Sequence, residues 1–112
     1  MDNKKDNQYY INKIVTDIAF IIEHTENLTQ AELKNNEILV DSVMFRLIQV
    51  SENSDKLTED FKNTYSDIPW RAMKGMRNKI VHEYGNVDLT VVYNTVKDDL
   101  PGLLLELQRI VG

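Results

Sequence analysis

Three residues close together in the sequence could carry out acid–base chemistry on a phosphate: Arg77, Asn78 and His82. Histidine can accept or donate a proton near neutral pH, and the planar fork of arginine fits phosphate oxygens. Cleaving RNA without a metal needs a base that takes the proton of the ribose 2′-hydroxyl and cations that hold the pentavalent phosphate. The pattern Arg-Asn-x-x-x-His therefore favours a phosphodiester-cleaving site, in which Asn78 would hold the imidazole or a phosphate.

The helix that must position these residues is predicted to run from Pro69 to Gly85. Proline suits the first turn of a helix, and glycine can close one in the left-handed conformation. Asn78 and His82 are four residues apart and share one face, whereas Arg77 lies about 140° from His82, inside the apolar arc. One protomer can aim both groups at one phosphate only if the arginine wraps around the helix, so this geometry favours a site shared by a dimer. The alternative is an arginine whose buried stem carries its charge outward to solvent.

Basic residues cluster on this helix although the chain has a net charge of −5. Arg71, Lys74 and Lys79 join Arg77 within residues 71–79, a stretch that holds no acidic residue. A basic island on an acidic body suits a focused anionic ligand such as a stretch of RNA backbone. Arg71, Lys74 and Lys79 are therefore the candidate phosphate-binding residues, and a solvated helix face is the alternative.

Composition argues against several other kinds of site. The chain has no cysteine, which excludes a thiolate metal site and a cysteine nucleophile. His82 and Glu83 are adjacent, which is not the spacing of metal ligands, and no glycine-rich phosphate loop is present. We therefore expect neither a metal nor a cofactor. The polar start of the chain lacks the apolar region of a signal peptide, and no apolar stretch is long enough to span a membrane, so we expect a cytoplasmic protein.

The whole pattern is helical, because apolar residues recur at steps of three and four along most of the chain. It predicts helices at 9–24, 29–34, 36–54, about 58–65, 69–85 and 89–111, with Pro101 kinking or restarting the last one. We expect a single all-α domain over residues 1–112, with four main antiparallel helices, one or two short ones, and a frayed segment at 1–7.

Several individual placements follow from the same pattern. Ile38 and Phe45 fall on the apolar stripe of the 36–54 helix, and Tyr84 falls on the core arc of its helix unless its hydroxyl is exposed instead. Glu52 is a candidate partner for Arg77 across a helix pair. Gly75, in mid-helix, is expected to permit the close approach of another backbone.

Three stretches match a known pattern, and the likeness extends over nearly the whole chain: NEILVDSVMFRLIQVSENSDKL, PWRAMKGMRNKIVHEYGNVD and LTVVYNTVKDDLP. Through them the chain resembles the HEPN superfamily and, within it, the HepT-like toxins. The resemblance implies a metal-independent endoribonuclease built as a homodimeric HEPN-type bundle, with its cleft at the dimer interface. It carries over Arg77 and His82 as catalytic residues and Asn78 as the polar residue that follows the arginine.

The resemblance also implies partners. Members of this family look like toxins of two-gene toxin–antitoxin systems, whose antitoxin is an MntA-like nucleotidyltransferase. That enzyme transfers AMP from ATP to the tyrosine of the His-x-Tyr segment, which is Tyr84 here. Two other functions stay open: a non-catalytic module that binds a nucleotide or the partner enzyme in the same cleft, and a plain helical dimerisation domain.

Overall fold

The computed structural model describes residues 6–111, and this part of the chain contains helices and no strand. The helices are α1 (Asn7–Thr25), α2 (Gln30–Lys34), α3 (Glu37–Asp55), α4 (Glu59–Thr64), α5 (Trp70–His82), α6 (Leu89–Asn94) and α7 (Leu100–Val111), with a π-helical turn (Thr95–Asp99) between α6 and α7. The predicted all-α class is confirmed. Within residues 6–111 no helix has both the length and the apolarity needed to cross a membrane.

Side-chain caps set where several helices begin, because the first N–H groups of a helix have no partner inside it. Thr29 and Glu32 form the capping box that the sequence predicts for α2, and Asp88 accepts a hydrogen bond from Thr90 N–H at the start of α6. Of the segment predicted to be frayed, residues 1–5 lie outside the described residues. Asp6 caps α1 and Asn7 begins it.

Helix α3 lies between α1 and α5, and α1 also packs against α7. Isoleucines at steps of three and four along α1 are fully buried: Ile11, Ile14, Ile18 and Ile21. They belong to one cluster of buried side chains that includes residues of α3, α5 and α7. The first and last helices therefore share a core with the helix that carries the candidate site.

The predicted break at Pro101 takes the form of a π turn inside a continuous helix. Leu100 N–H bonds to Thr95 O, five residues back, instead of to the residue four back. Proline has no N–H, and its ring clashes with the carbonyl four residues earlier in a regular helix. That residue is Lys97, which lies within the widened turn. Its ammonium donates hydrogen bonds to Thr25 O at 2.6 Å and Glu26 O at 2.9 Å, at the end of α1.

Three large side chains are more exposed than the helical pattern predicts. Ile38 is 84% exposed, Phe45 59% and Tyr84 60%. Both α3 residues were placed on its apolar stripe, but the buried side of α3 is made by Val40, Val43 and other residues that face α1 and α5. The prediction of buried positions for Ile38 and Phe45 is therefore wrong, since the core covers a narrower strip of α3 than its apolar residues do.

An open groove of about 810 Å³ separates α5 from α6 and α7. Buried apolar side chains form its floor, among them Leu47, Val50, Met73 and Leu100. Exposed acidic side chains line its rim, namely Asp67, Asp98, Asp99 and Glu106, and among the described residues Lys79 is the one basic side chain that lines it. The groove was not anticipated from the sequence.

Candidate active site

Helix α5 ends at His82, three residues earlier than predicted, and a turn follows. Gly85 does adopt the left-handed conformation, with φ +93°, but it closes this turn and not the helix itself. Tyr84 therefore lies off the helix, and its predicted place on the core arc is wrong. Its exposed ring is consistent with the other expectation, that of an accessible hydroxyl.

The Arg77 guanidinium bridges two helices. Its Nε donates to Glu52 Oε1 of α3 at 3.0 Å, and its Nη1 donates to Asn78 Oδ1 at 3.0 Å. The predicted contact with Glu52 is confirmed. Arg77 is half-buried against α3, and it is bonded to Asn78, which shares the face of α5 that carries His82. The arginine is therefore paired and does not lie alone in the core.

Asn78 is oriented by this contact. Its side-chain oxygen accepts the bond from Arg77, and its amide NH₂ forms no hydrogen bond within residues 6–111. An amide NH₂ donates hydrogen bonds, as binding an anion requires, and the oxygen keeps a second lone pair. The two roles predicted for Asn78, holding a phosphate and holding the imidazole of His82, therefore both stay predictions.

His82 is exposed at the end of α5. Among residues 6–111 no group forms a hydrogen bond or an ion pair with its imidazole, so nothing in this part of one chain fixes which ring nitrogen carries the proton. A general base needs that orientation. The substrate or a second copy of the chain would have to supply it.

The basic residues of α5 do not form one patch. Lys74 faces α3, where its Nζ lies 3.8 Å from Asp55 Oδ2, whereas Lys79 lines the groove on the other side of the helix. The two lie about 140° apart around α5. Arg71 is exposed near the start of α5. A ligand that meets all three has to wrap around the exposed side of the helix.

Within residues 6–111, no other element packs against Gly75. A Cβ built there would meet no heavy atom within 4 Å, and the same holds for Gly102 across the groove. The expected close approach of a backbone does not occur within residues 6–111. Gly75 shares its helix face with Asn78 and His82, so the open space borders the candidate site.

Metal ligands do not cluster in the described part of the chain: no group of three or more His, Asp or Glu side chains within residues 6–111 could hold a metal ion. Of the predicted site residues, the structure brings together Arg77 and Asn78 beside Glu52. It leaves His82 on the neighbouring exposed surface.

Comparison with known protein families gives one match that covers most of the chain. Residues 14–110 match the family described as "Ribonuclease HepT-like". A protein of Thermococcus cleftensis named "Probable ribonuclease HepT" is 31% identical over 107 residues, which span 96% of this chain and 97% of that protein.

Two proteins of Methanocaldococcus jannaschii are also similar. One, whose name includes "putative RNase", is 27% identical over 96% of this chain and 99% of its own length. The other, named "Gamma-glutamylcyclotransferase and putative RNase", is 32% identical, and this chain spans only 49% of it. No solved structure matches the chain.

Proposed function

We propose that this chain, which belongs to the HepT-like ribonuclease family, is a metal-independent endoribonuclease that uses Arg77, Asn78 and His82. The observation that supports this proposal most directly is the hydrogen bond from Arg77 to Asn78. It joins the guanidinium to a residue of the helix face that carries His82, so that the proposed cation, donor and base lie on neighbouring parts of α5.

The chemistry follows from these groups. His82 takes the proton of a ribose 2′-hydroxyl, and the 2′-oxygen attacks the adjacent phosphorus. The bond from phosphorus to the 5′-oxygen breaks, and that oxygen leaves with a proton from an acid or water. The products are a 2′,3′-cyclic phosphate and a 5′-hydroxyl. Arg77 and the Asn78 amide NH₂ stabilise the negative charge that builds up on the phosphate oxygens in the transition state.

The active form that we propose is a homodimer with the RNA cleft at its interface. The groove between α5 and α7 supports this, because its apolar floor is open on one side. The open space at Gly75 leaves room for a second helix beside Asn78 and His82. We expect a second copy to place a group beside His82, whose imidazole has no hydrogen-bond partner within residues 6–111.

We further propose that the enzyme is the toxin of a toxin–antitoxin pair and that its antitoxin is an MntA-like nucleotidyltransferase. In the inactivating step the Tyr84 oxygen attacks the α-phosphorus of ATP, pyrophosphate leaves, and the phenolic proton passes to solvent. The exposure of Tyr84 supports access by such an enzyme. The added phosphate brings negative charge and bulk two residues from His82, which repels RNA.

Growth after induced expression of wild type and of His82→Ala tests this function, with soluble protein and RNA cleavage measured in parallel. We expect arrest and cleavage by the wild type alone, with a loss of about 10²–10⁴-fold in cleavage rate for the variant. His82 is exposed, so the variant should keep its melting temperature.

Two results would contradict the proposal. Equal growth arrest by the wild type and by His82→Ala would show that His82 takes no part in cleavage. Absence of cleavage by the pure wild-type protein, together with binding of RNA or a nucleotide, would favour the non-catalytic binding module.

A further inference from the structure

The guanidinium of Arg77 is bonded on the side of α3 to the carboxylate of Glu52. An arginine offers five N–H donors in one plane. Glu52 takes the donor on Nε, and Asn78 takes one on Nη1. Both N–H groups of Nη2 and the second one of Nη1 remain for a ligand. With two of its three nitrogens bonded to the protein, the plane of the guanidinium is fixed before any RNA arrives.

We infer that Glu52 is a positioning residue for cleavage, which rests on the proposed ribonuclease function. Its carboxylate orients Arg77 so that the free edge of the guanidinium faces the phosphate. A preorganised donor stabilises the transition state without reorganising during the reaction. The same contact sets Asn78, because the asparagine oxygen bonds to the arginine that Glu52 holds.

A neighbouring ion pair offers a matched comparison. Asp55 lies three residues after Glu52 on α3 and pairs with Lys74 of α5 at 3.8 Å. Both pairs join the same two helices and place a carboxylate of α3 beside a basic side chain of α5. The contact of Glu52 is shorter, at 3.0 Å, and only it reaches Arg77.

Removing Glu52 and removing Asp55 should have the same effect on KM and different effects on kcat. Removing either one takes a negative charge from the surface that RNA approaches, so either change should leave KM unchanged or lower it. Only the loss of Glu52 frees the guanidinium of Arg77, so only that change should lower kcat.

The kinetic test compares Glu52→Ala, Glu52→Gln and Asp55→Ala on one RNA substrate. We expect kcat to fall about 10–100-fold in Glu52→Ala, because a misplaced transition-state group costs up to about 10²-fold. Glu52→Gln has the same charge as Glu52→Ala but keeps an acceptor oxygen at the same reach, so it should recover most of kcat. Asp55→Ala should keep the wild-type kcat. Equal kcat values for Glu52→Ala and Asp55→Ala would overturn the inference.

A second measurement does not depend on cleavage. The NMR signal of the Arg77 Nε–H group, assigned by its absence in Arg77→Lys, should show slow exchange with water and restricted rotation in the wild type. We expect both properties to be lost in Glu52→Ala and kept in Asp55→Ala. An unchanged signal in Glu52→Ala would overturn the positioning role. If the wild type cleaves no RNA, the proposed function fails, and this signal alone decides whether Glu52 holds the arginine.

Discussion

Helix α3 forms ion pairs on both of its sides, and the Arg46–Asp17 pair toward α1 differs from the Arg77–Glu52 pair toward α5 in what surrounds it. Toward α1, Arg46 Nη1 lies 2.8 Å from Asp17 Oδ1, and the guanidinium carbon lies 3.8 Å from the centre of the Phe20 ring. The Asp17 side chain is only 11% exposed. This arginine has a carboxylate and an aromatic face from its own chain, so we assign its role to holding α1 and α3 together.

Toward α5, the Glu52–Arg77 ion pair is more exposed to solvent. The side chains of Glu52 and Arg77 are 42% and 35% exposed, and the second partner of the arginine is a polar residue beside an exposed histidine. An ion pair of this exposure contributes little to stability, about 0–1 kcal/mol. The two arginines differ less in their own exposure, 28% for Arg46 and 35% for Arg77, than in their partners. Arg46 pairs with a nearly buried carboxylate and stacks on an aromatic ring, whereas Arg77 pairs with an exposed carboxylate and a polar residue of its own helix.

Among the variants suggested by this comparison, Arg77→Ala should lower the cleavage rate most. We expect the rate to fall about 10²–10³-fold, as for the loss of one group that stabilises transition-state charge. The free energy of unfolding should change by less than about 1 kcal/mol. Arg109→Ala, which removes an equally charged exposed side chain from α7, is the control. A loss of stability that accounts for all of the lost activity would place Arg77 with Arg46 as a structural residue.

Gly75→Leu tests whether the open side of α5 needs a second copy. The new side chain meets open space in one chain, and replacing a mid-helix glycine raises helix propensity by about 0.5–1 kcal/mol, so the monomer should not be destabilised. We expect dimers to be lost in sedimentation measurements and cleavage to fall about 10²-fold. Ala31→Leu, on an exposed position of α2, is the control. A dimer that persists with full activity would show that the groove is not the interface.

Asp17→Ala tests the ion pair between α1 and α3. It leaves the Arg46 guanidinium without its carboxylate, and we expect a loss of about 2–3 kcal/mol in the free energy of unfolding, measured by urea denaturation. The cleavage rate per folded molecule should not change. Asp17→Asn keeps an acceptor oxygen and should lose less. If Asp17→Ala lies within about 0.5 kcal/mol of the wild type, burial does not distinguish the two pairs.

Tyr84→Phe should have the smallest effect on cleavage, which we expect to equal that of the wild type because the hydroxyl takes no part in the proposed chemistry. In cells that also express the nucleotidyltransferase, this variant should stay toxic while the wild type is neutralised. Mass spectrometry should show the mass of AMP added to the wild type and not to the variant. Full neutralisation of Tyr84→Phe would place the modification elsewhere.

The sequence predicted the helices well because their signals are local. The capping box at Thr29, the cap at Asp88 and the isoleucines of α1 act within one or two turns. These features depend on helical spacing, which a sequence shows directly. Glu52 was named as a candidate partner because an arginine placed inside an apolar arc needs one, but the contact joins two helices and only the structure shows it.

The misses depend on where helices stop and on which faces meet. A helical wheel assumes that α5 continues past His82, although the helix ends there. For that reason Tyr84 was placed in the core. Val92, Val96 and Leu100 are spaced by four, and in a regular helix each such step turns about 40° too far. The π turn compensates for that drift, but the sequence shows only a proline nearby. The groove arises from the separation of α5 and α7, which no local pattern encodes.

The packing of α7 against α1 has a consequence for synthesis of the protein. Until α7 has left the ribosome, the buried isoleucines of α1 lack one of their two neighbouring helices. At about 5–20 residues per second, a growing chain would expose this apolar surface for several seconds. Incomplete chains would therefore present apolar surface of the kind that chaperones bind. Helix α5 is translated before α7, but it packs on α3, and α3 packs on α1. The core beneath α5 would therefore be complete only when α7 docks on α1.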